Sequence, residues 1–459
     1  MTKKWIGLPL ALAAVASPAC QCSSTPDAVK ETDAGHDSST WDAPKWPLPD
    51  SSYVPPETGT GGQDSGSTLP DGSAEAPYAW MFDPDAWTPV ASIPECDVRE
   101  ADVSKLEWPG FQWTACGSGC LEADVVGGSK FHGARENGAS ARVEGGRLLA
   151  FLTVGVRFPP SSEVLEVVDI EAGKLMSAVV EHGDDCSTQF LGRFATRGLK
   201  IVPAGASHFY IGLAGTQLGQ AAAWPLPALV GDQAPFDFDG GWGVLSGLAA
   251  VKLTTDFASS SALTTVYSSP GYQTDVIGYG PAVAWVDWQV PHRVLRGWTK
   301  QGGTRVLVQA PYHVVDVALS AQRIVWLGAT GTSLVENGYE TSALYWSPNA
   351  LDPDNIVPST GIPLPIHSDP GLFATAGPWA AVKHCVALGD CETLIVNLDT
   401  KAVWKLAHRP GREATVLGMS DKTLLLAEAP YPPGELGDLL FDRLLRYDLT
   451  KLQSFATPQ

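Results

Sequence analysis

The chain has 459 residues, of which 44% are hydrophobic, and it carries a formal net charge of −20. This acidic balance argues against nucleic acid as a partner, because neutralising phosphates requires clustered Lys and Arg. The same charge is compatible with solubility, with cations and with basic ligands, and it does not select among them.

The first residues predict an export signal. Lys3 and Lys4 give a positive start, and an uncharged apolar run follows from Trp5 to Ala16. This order is typical of a secretory signal peptide. The run is also shorter than the ~20 apolar residues that a membrane-spanning helix needs. We therefore expect the protein to be exported.

Two cleavage sites compete in this signal. The sequence AVA at 14–16 would release a secreted protein that begins at Ser17. The sequence SPAC at 17–20 resembles the box of bacterial lipoproteins, although Ser17 stands where that family usually has an aliphatic residue. The resemblance implies a signal peptide over 1–19 and a lipid on Cys20, whose acyl chains anchor with ~0.8 kcal/mol per buried CH₂. Gln21 after the cysteine is compatible with sorting to the outer membrane.

Residues 20–78 predict a disordered acidic tether. The segment is rich in Asp, Ser, Gly, Thr and Pro, and its only Lys or Arg residues are Lys30 and Lys45. Such a composition buries too little apolar surface to offset the entropy of ordering. A polar tether is what a lipid-anchored protein would carry, so we favour the anchored form. The folded domain is expected over 79–459.

The cysteines of an exported chain are expected to form disulfides. Two close pairs are flanked by strand-like residues and separated by turn residues, and they predict hairpin disulfides: Cys116 with Cys120, and Cys385 with Cys391. Cys96 and Cys186 remain and are expected to pair with each other. A zinc site at the C-x₃-C spacing is the weaker interpretation, since that spacing lacks a second half.

One kind of apolar strand recurs through the folded part at an average spacing of about 46 residues. A Gly or small polar segment precedes several copies, and a second strand that ends in an acid or amide follows several. The copies are RLLAFLTV at 147, HFYIGLAG at 208, LAAVKLTT at 248, AVAWVDWQV at 282, RIVWLGAT at 323, WAAVKHCV at 379 and TLLLAEAP at 423. A repeat of this length made of short strands predicts a blade of a β-propeller, in which stacked blades bury each other's faces.

These repeats resemble the blades of TolB-like and WD40-like propellers, although no copy has the WD dipeptide at its usual place. The resemblance covers most of residues 97–456 and implies an all-β fold, a propeller of seven or eight four-stranded blades. The cysteine hairpin within 110–126 favours eight; with seven blades it would complete the last one. A pair of β-sandwiches explains the spacing less well. The resemblance concerns architecture and does not imply a function.

Two oxygen-rich segments are candidates for a calcium site: Asp237 and Asp239 in FDFDGG, and Asp352 and Asp354 in LDPDN. Ca²⁺ binds carboxylate and carbonyl oxygens. Neither segment completes a twelve-residue calcium loop, and Asp and Asn also form ordinary turns. We therefore expect turns and predict no cofactor, with calcium left open.

A cluster of aromatic and basic residues lies within one repeat: Trp285, Trp288, His292, Arg293 and Trp298. Exposed Trp beside polar groups is how sites for sugars and other ligands with apolar faces are often built. The alternative is that these Trp residues pack between blades.

The sequence has no catalytic motif of the G-x-S-x-G, H-E-x-x-H or phosphate-loop type. We therefore expect a monomeric, membrane-tethered propeller lipoprotein of the bacterial envelope that acts as a non-catalytic binding or scaffold module for a protein, peptide or glycan. Two alternatives stay open: a propeller enzyme of the envelope that acts on glycans or small molecules, and a plain secreted protein.

Overall fold

The computed structural model describes part of the chain between residues 87 and 459. The described ranges are 87–89, 99–102, 112–124, 139–144, 146–156, 162–182, 186–190, 198–203, 209–213, 221–225, 234–238, 241–246, 250–254, 264–268, 273–279, 282–288, 293–330, 341–348, 356, 358–364, 368–387, 390–431 and 441–459. The predicted signal peptide, Cys20, the tether and Cys96 lie outside them and stay predictions.

The described residues form an all-β structure of seven antiparallel sheets, which we call A to G. Two hairpins come first in the chain: β1 (Trp87–Pro89) with β2 (Arg99–Ala101), and β3 (Thr114–Gly117) with β4 (Cys120–Asp124). Sheet A then contains β5 (Ala139–Glu144), β6 (Arg147–Val156), β7 (Ser162–Asp169) and β8 (Lys174–His182). Sheet B contains β9 (Cys186–Phe190), β10 (Gly198–Pro203), β11 (Phe209–Leu213) and β12 (Ala221–Pro225).

The middle sheets repeat the same up-and-down order. Sheet C contains β13 (Ala234–Phe238), β14 (Gly241–Ser246), β15 (Ala250–Thr254) and β16 (Thr264–Ser268). Sheet D contains β17 (Gln273–Tyr279), β18 (Ala282–Asp287), β19 (Val294–Thr299) and β20 (Gly303–Val308). Sheet E contains β21 (His313–Leu319), β22 (Arg323–Thr330), β23 (Thr341–Pro348) and β24 (Ile362–Leu364).

The last two sheets include the C-terminus. Sheet F contains β25 (Ser368–Ala376), β26 (Trp379–Ala387), β27 (Asp390–Asn397) and β28 (Val403–Ala407). Sheet G contains β29 (Arg412–Met419), β30 (Thr423–Pro430) and β31 (Arg443–Asp448). A 3₁₀ helix (Leu449–Ser454) and β32 (Thr457–Pro458) end the chain. No helix among the described residues is long and apolar enough to cross a membrane.

The two ends of the chain join sheets that are far apart in sequence. Strand β2 extends the outer edge of sheet A by pairing with β8. Strand β4 pairs with β31, so that the second N-terminal hairpin supplies the two outer strands of sheet G. Strand β32 crosses to the outer strand β28 of sheet F. Sheet G is therefore assembled from both ends of the described chain.

Six of the sheets, in the order C, D, E, F, G and A, stack with their first strands side by side, as the blades of a β-propeller do. Contacts join β13 to β17, β17 to β21, β21 to β25, β25 to β29 and β29 to β5. The resulting core lies between neighbouring sheets. In β18, for example, Val283 and Trp285 face sheet C, whereas Ala284 and Val286 face sheet E. Because both faces of such a strand are buried, its sequence is continuously apolar.

The recurring apolar strand occurs once in every sheet, as the repeat predicts. It is the second strand in sheets A, D, E, F and G, but the third strand in sheets B and C.

The prediction of seven or eight four-stranded blades is wrong in its detail. Only sheets B, C, D and E have four strands; sheets F and G have five and sheet A has six. No eighth sheet occurs among the described residues. The hairpin that suggested an eighth blade pairs with β31 and belongs to sheet G.

The two predicted hairpin disulfides are confirmed. Cys116 bonds to Cys120 across the turn between β3 and β4. Cys385 bonds to Cys391, which lies directly opposite it in the pairing of β26 with β27. Cys186 is the first residue of β9, and its pairing with Cys96 stays a prediction.

Candidate functional site

A cavity of about 320 Å³ opens where the first strands of five sheets end. It is lined by β5 of sheet A, β17 of sheet D, β21 of sheet E, β25 of sheet F and β29 of sheet G, together with the turns that lead into the second strands. The volume falls in the lower part of the range for small-molecule pockets. Because each wall comes from a different sheet, the site is created only by the stacking of the sheets.

The walls of the cavity are small and aliphatic. They include Ala141, Ala318, Ala374, Leu417 and Met419 from four of the sheets. Small side chains on first strands follow from crowding, since these strands converge toward one axis. Gly418 shows this packing, because an added Cβ there would lie 2.3 Å from the carbonyl oxygen of Ala141 in the next sheet.

Two serines at the rim of the cavity hold its turns in place. The hydroxyl oxygen of Ser320 accepts the backbone N–H of Arg323 at 3.1 Å, and the Ser320 N–H donates to the carbonyl of Arg323 at 2.9 Å. In sheet G, Ser420 makes the same two bonds with Thr423, at 3.0 and 2.8 Å. Each serine thus closes a tight turn between a first and a second strand.

A glycine shapes the third turn of the rim. Gly377 has φ of +55°, a left-handed conformation that favours glycine. Beside it, the Thr375 hydroxyl donates to the carbonyl of Trp379 at 2.9 Å and ties the two strands of sheet F together. These turns place Ala321, Gln322 and Asp421 around the mouth of the cavity.

The charged groups of the lining are two carboxylates and one guanidinium, on Asp316, Asp421 and Arg142. Asp316 is only 1% exposed, and it lies where the pairing of β21 with β22 shifts register. Its Oδ1 accepts the N–H of Val317 at 2.7 Å. Asp421 is exposed at the mouth. The interior is therefore mainly apolar with a polar floor and rim, an arrangement suited to orienting a small ligand.

The predicted aromatic cluster does not lie at this cavity. Trp285 is fully buried between sheets C and D, with its ring centroid 5.5 Å from that of Tyr267. Trp298 is half-buried against the same core. Trp288 faces the core between sheets D and E, and the Arg293 guanidinium lies 3.4 Å from the centre of its ring. His292 lies outside the described residues.

These placements separate the four described residues of the predicted cluster. Two indoles face one side of sheet D, whereas Trp288 and Arg293 lie on the other side, at the strand ends that point away from the cavity. A ligand site at Trp288 and Arg293 stays a prediction. Trp285 has no exposed surface to contribute to it.

The calcium candidates fall largely outside the described chain. Asp237 lies in β13, but its side chain is not described, and Asp239, Asp352 and Asp354 lie outside the described ranges. Among the described residues, no group of three or more His, Cys, Asp or Glu side chains is placed to hold a metal ion. Calcium at the two predicted segments stays a prediction.

Sequence reasoning did not identify the cavity residues, although it contained one signal for them. The segments LSAQ at 319–322 and TAGP at 375–378 precede the recurring apolar strand, as small polar segments do in several repeats. That position is the turn at the cavity mouth. The sequence does not show that five such positions come together around one cavity.

No protein-family model matches this sequence, and no curated protein sequence matches it either. Among solved structures, an oligogalacturonate lyase from Vibrio parahaemolyticus is similar at 9% identity and a TM-score of 0.45, over 74% of this chain and 96% of that one. The β-propeller domain of the Trilobed protease from Pyrococcus furiosus is similar at 9% identity and a TM-score of 0.42, over 68% and 93%. The structure of YCF48 bound to D1 peptide is similar at 12% identity and a TM-score of 0.41, over 73% and 97%. Similarities this weak carry no inference about function.

Proposed function

We propose that this protein is an exported, lipid-anchored β-propeller lipoprotein that binds a ligand in the cavity between its first strands. The observation that carries the proposal is the cavity of about 320 Å³, with aliphatic walls, hydroxyl-bearing turns and carboxylates at its floor and mouth. Pockets with mostly apolar walls and a few placed polar groups are the default sites for ligands.

The size of the cavity limits what enters it. A volume of about 320 Å³ holds one or two sugar units or amino-acid side chains, and it is too small for a folded partner. A glycan or peptide would therefore insert an end or a side chain, while the rest of it lies on the face formed by the turns.

The export and anchoring parts of this proposal rest on the sequence. They are supported by the apolar segment after Lys4, by the cysteine at position 20 and by the acidic composition of 20–78. A tethered propeller would present its cavity at a distance from the membrane, where a binding module for envelope components is useful.

An envelope enzyme is the second candidate, and Asp316 is the observation that favours it. A carboxylate that is 1% exposed in the lining of a cavity is placed as a general acid or base would be. Turnover that Asp316→Asn abolishes while binding persists would establish this candidate. Binding without any product would support the non-catalytic module.

The proposal is tested by closing the mouth of the cavity. Ala321 is exposed in the Ser320 turn and lines the cavity. Ala321→Trp would place an indole at the mouth, so we expect at least a tenfold loss of affinity, about 1.4 kcal/mol. Affinity is measured by calorimetry with the mature chain against a panel of tripeptides and di- and trisaccharides, while mass spectrometry records any product.

Ala172→Trp is the matched control. Ala172 is also an exposed alanine in a turn, between β7 and β8 of sheet A, and it does not line the cavity. We expect this variant to bind as the wild type does. If no member of the panel binds, or if both tryptophan variants bind equally well, the cavity is not the ligand site.

A further inference from the structure

A cluster of buried polar groups joins sheets F and G at the strand ends opposite the cavity. Strand β26 begins at Trp379 beside the cavity turn and runs away from it, and β29 begins at the far end and finishes at the cavity. Lys383, His384 and Thr393 of sheet F are at most 3% exposed in this region. The cluster therefore lies inside the junction of two neighbouring sheets.

His408 is the residue that links the two sheets in this cluster. It lies in the connection between β28 and β29, which is the crossing from sheet F to sheet G. Its Nδ1 accepts the backbone N–H of Ala414 in β29 at 3.3 Å. Its Nε2 lies 3.1 Å from the hydroxyl oxygen of Thr393 in β27. Because Nδ1 accepts, the ring proton is assigned to Nε2, which donates to Thr393.

The charges that face His408 are already engaged with each other. The ammonium of Lys383 on β26 pairs with the carboxylate of Glu413 on β29. Glu392 on β27 lies 2.9 Å from the ammonium of Lys405 on β28 and 3.1 Å from Nδ1 of His384 on β26. His408 is half-buried, and a proton added to it would place a positive charge near Lys383, which is 3% exposed.

Burial, and then the positive charge of Lys383, lower the pKa of His408 from 6.5 to about 4, and the negative charge of Glu392 opposes this change. The imidazole is neutral at neutral pH, as the hydrogen bond from Ala414 also requires.

We propose that His408 forms an acid-sensitive hydrogen-bonded contact between sheets F and G. Protonation of Nδ1 turns this atom from an acceptor into a donor, so that it faces the N–H of Ala414 and the hydrogen bond is lost. The start of β29 is thereby released from sheet F. The other ends of β25 and β29 form part of the cavity wall, so loosening this junction loosens that wall.

The direction of the pH effect follows from linkage. A histidine whose pKa is lower in the folded chain than in the opened one contributes stability that is present above the opened-state value of about 6.5. That contribution is lost as the pH falls toward about 4. Over that window the opening equilibrium gains up to about tenfold per pH unit.

The experiment measures the amide exchange of Ala414 in the mature chain from pH 7.5 to 4, corrected for intrinsic exchange. In the wild type we expect its protection factor to fall by up to about tenfold per pH unit below about pH 6.5. In His408→Asn the side-chain carbonyl can still accept from Ala414 but does not titrate, so protection should stay level across the same window.

His313→Asn is the matched control, because His313 also accepts a backbone N–H at Nδ1, from Arg293 at 3.4 Å, but at the start of sheet E. In His313→Asn, the protection factor of the Ala414 amide should fall with pH as it does in the wild type. The proposal would be overturned if the protection factor of Ala414 in the wild type stayed level across this pH range. It would also be overturned if that factor fell equally in His408→Asn. An NMR titration of wild-type His408 gives a second reading that needs no variant, and a ring pKa near 6.5 would also overturn it.

Discussion

At the scale of single residues, Glu428 is a carboxylate buried among arginines. Glu428 on β30 is 0% exposed, and its carboxylate accepts from Nε of Arg412 at 2.6 Å, with Nε of Arg409 at 3.5 Å. Arg409 reaches on to Glu122 of β4 at 2.8 Å, and Arg412 also pairs with Asp442. This network connects the N-terminal hairpin to the C-terminal strands of sheet G.

Burial raises the pKa of Glu428 above its ordinary value, and the guanidinium groups of Arg409, Arg412 and Arg443 oppose the rise. A carboxyl group with a raised folded-state pKa favours folding while it is protonated, and this contribution is lost as the pH rises through the folded-state pKa. The charged form of Glu428 is therefore a net cost to the folded chain.

We predict that Glu428→Gln, which resembles the protonated form, is as stable as the wild type or more stable by up to about 1 kcal/mol at pH values near 8. The difference should shrink as the pH falls, because Glu428 then becomes protonated in the wild type too. Urea unfolding at several pH values measures both effects.

Glu413→Gln is the contrasting variant in the same sheet. It removes the carboxylate that pairs with Lys383, which is 3% exposed, and a buried ammonium without a counter-charge costs about 3 kcal/mol. Equal losses of unfolding free energy in Glu428→Gln and Glu413→Gln would show that Glu428 stabilises the domain in its charged form.

At the scale of elements, the hairpin β3–β4 is held by more than strand pairing. Its turn contains Gly119 with φ of +73°, and an added Cβ there would lie 3.0 Å from the ring of Phe455. Ser454 of the C-terminal 3₁₀ helix donates to the carbonyl of Ser118 at 3.0 Å, and the Asp448 N–H donates to the carbonyl of Gly119 at 2.8 Å. The two ends of the described chain thus close the last sheet together.

We predict that removing this hairpin destabilises the propeller strongly. A chain that begins at residue 112 keeps β3 and β4, whereas one that begins at 126 loses them together with the buried Cys120 and Ala123 and the ion pairs to Arg409 and Arg443. The shorter chain should lose on the order of 3 kcal/mol relative to the longer one, or unfold without cooperativity. Thermal unfolding of both chains measures this difference.

Comparing these two truncated chains isolates the hairpin, because both lack β1 and β2. A peptide of residues 112–124 added to the shorter chain should raise its melting temperature, since the exposed edge of β31 can accept a strand. Identical melting curves for the two chains would contradict the assembly of sheet G described above.

The sequence predicts the individual strands and hairpins better than it predicts which strands pair with each other. The apolar strands and both disulfide hairpins could be predicted because strand alternation and turn residues are local signals. For the hairpin at 114–124 the sequence favours a separate eighth blade over completion of the last blade, because its partner β31 lies over 300 residues away and nothing local specifies that pairing. Trp285 shows the same limit, because an indole between sheets and an indole at a ligand site have the same local sequence.

At the scale of the whole molecule, the cavity is formed by five sheets together and by no single repeat. Asp316, Thr375 and Asp421 line it from three different sheets: Asp316 lies within β21, Thr375 near the end of β25 and Asp421 in the turn after β29. A repeat can be recognised from sequence, but the register at which five repeats meet depends on packing between sheets. The function proposed for the chain therefore depends on the stacking of these sheets.

The most direct test of this account is the position of the bound ligand in a crystal structure of the mature protein with the tightest binder from the tripeptide and saccharide panel. We predict density between the ends of β5, β17, β21, β25 and β29, in contact with the Ser320 and Ser420 turns. Density at Trp288 and Arg293 or elsewhere, with this cavity unoccupied, would contradict the account.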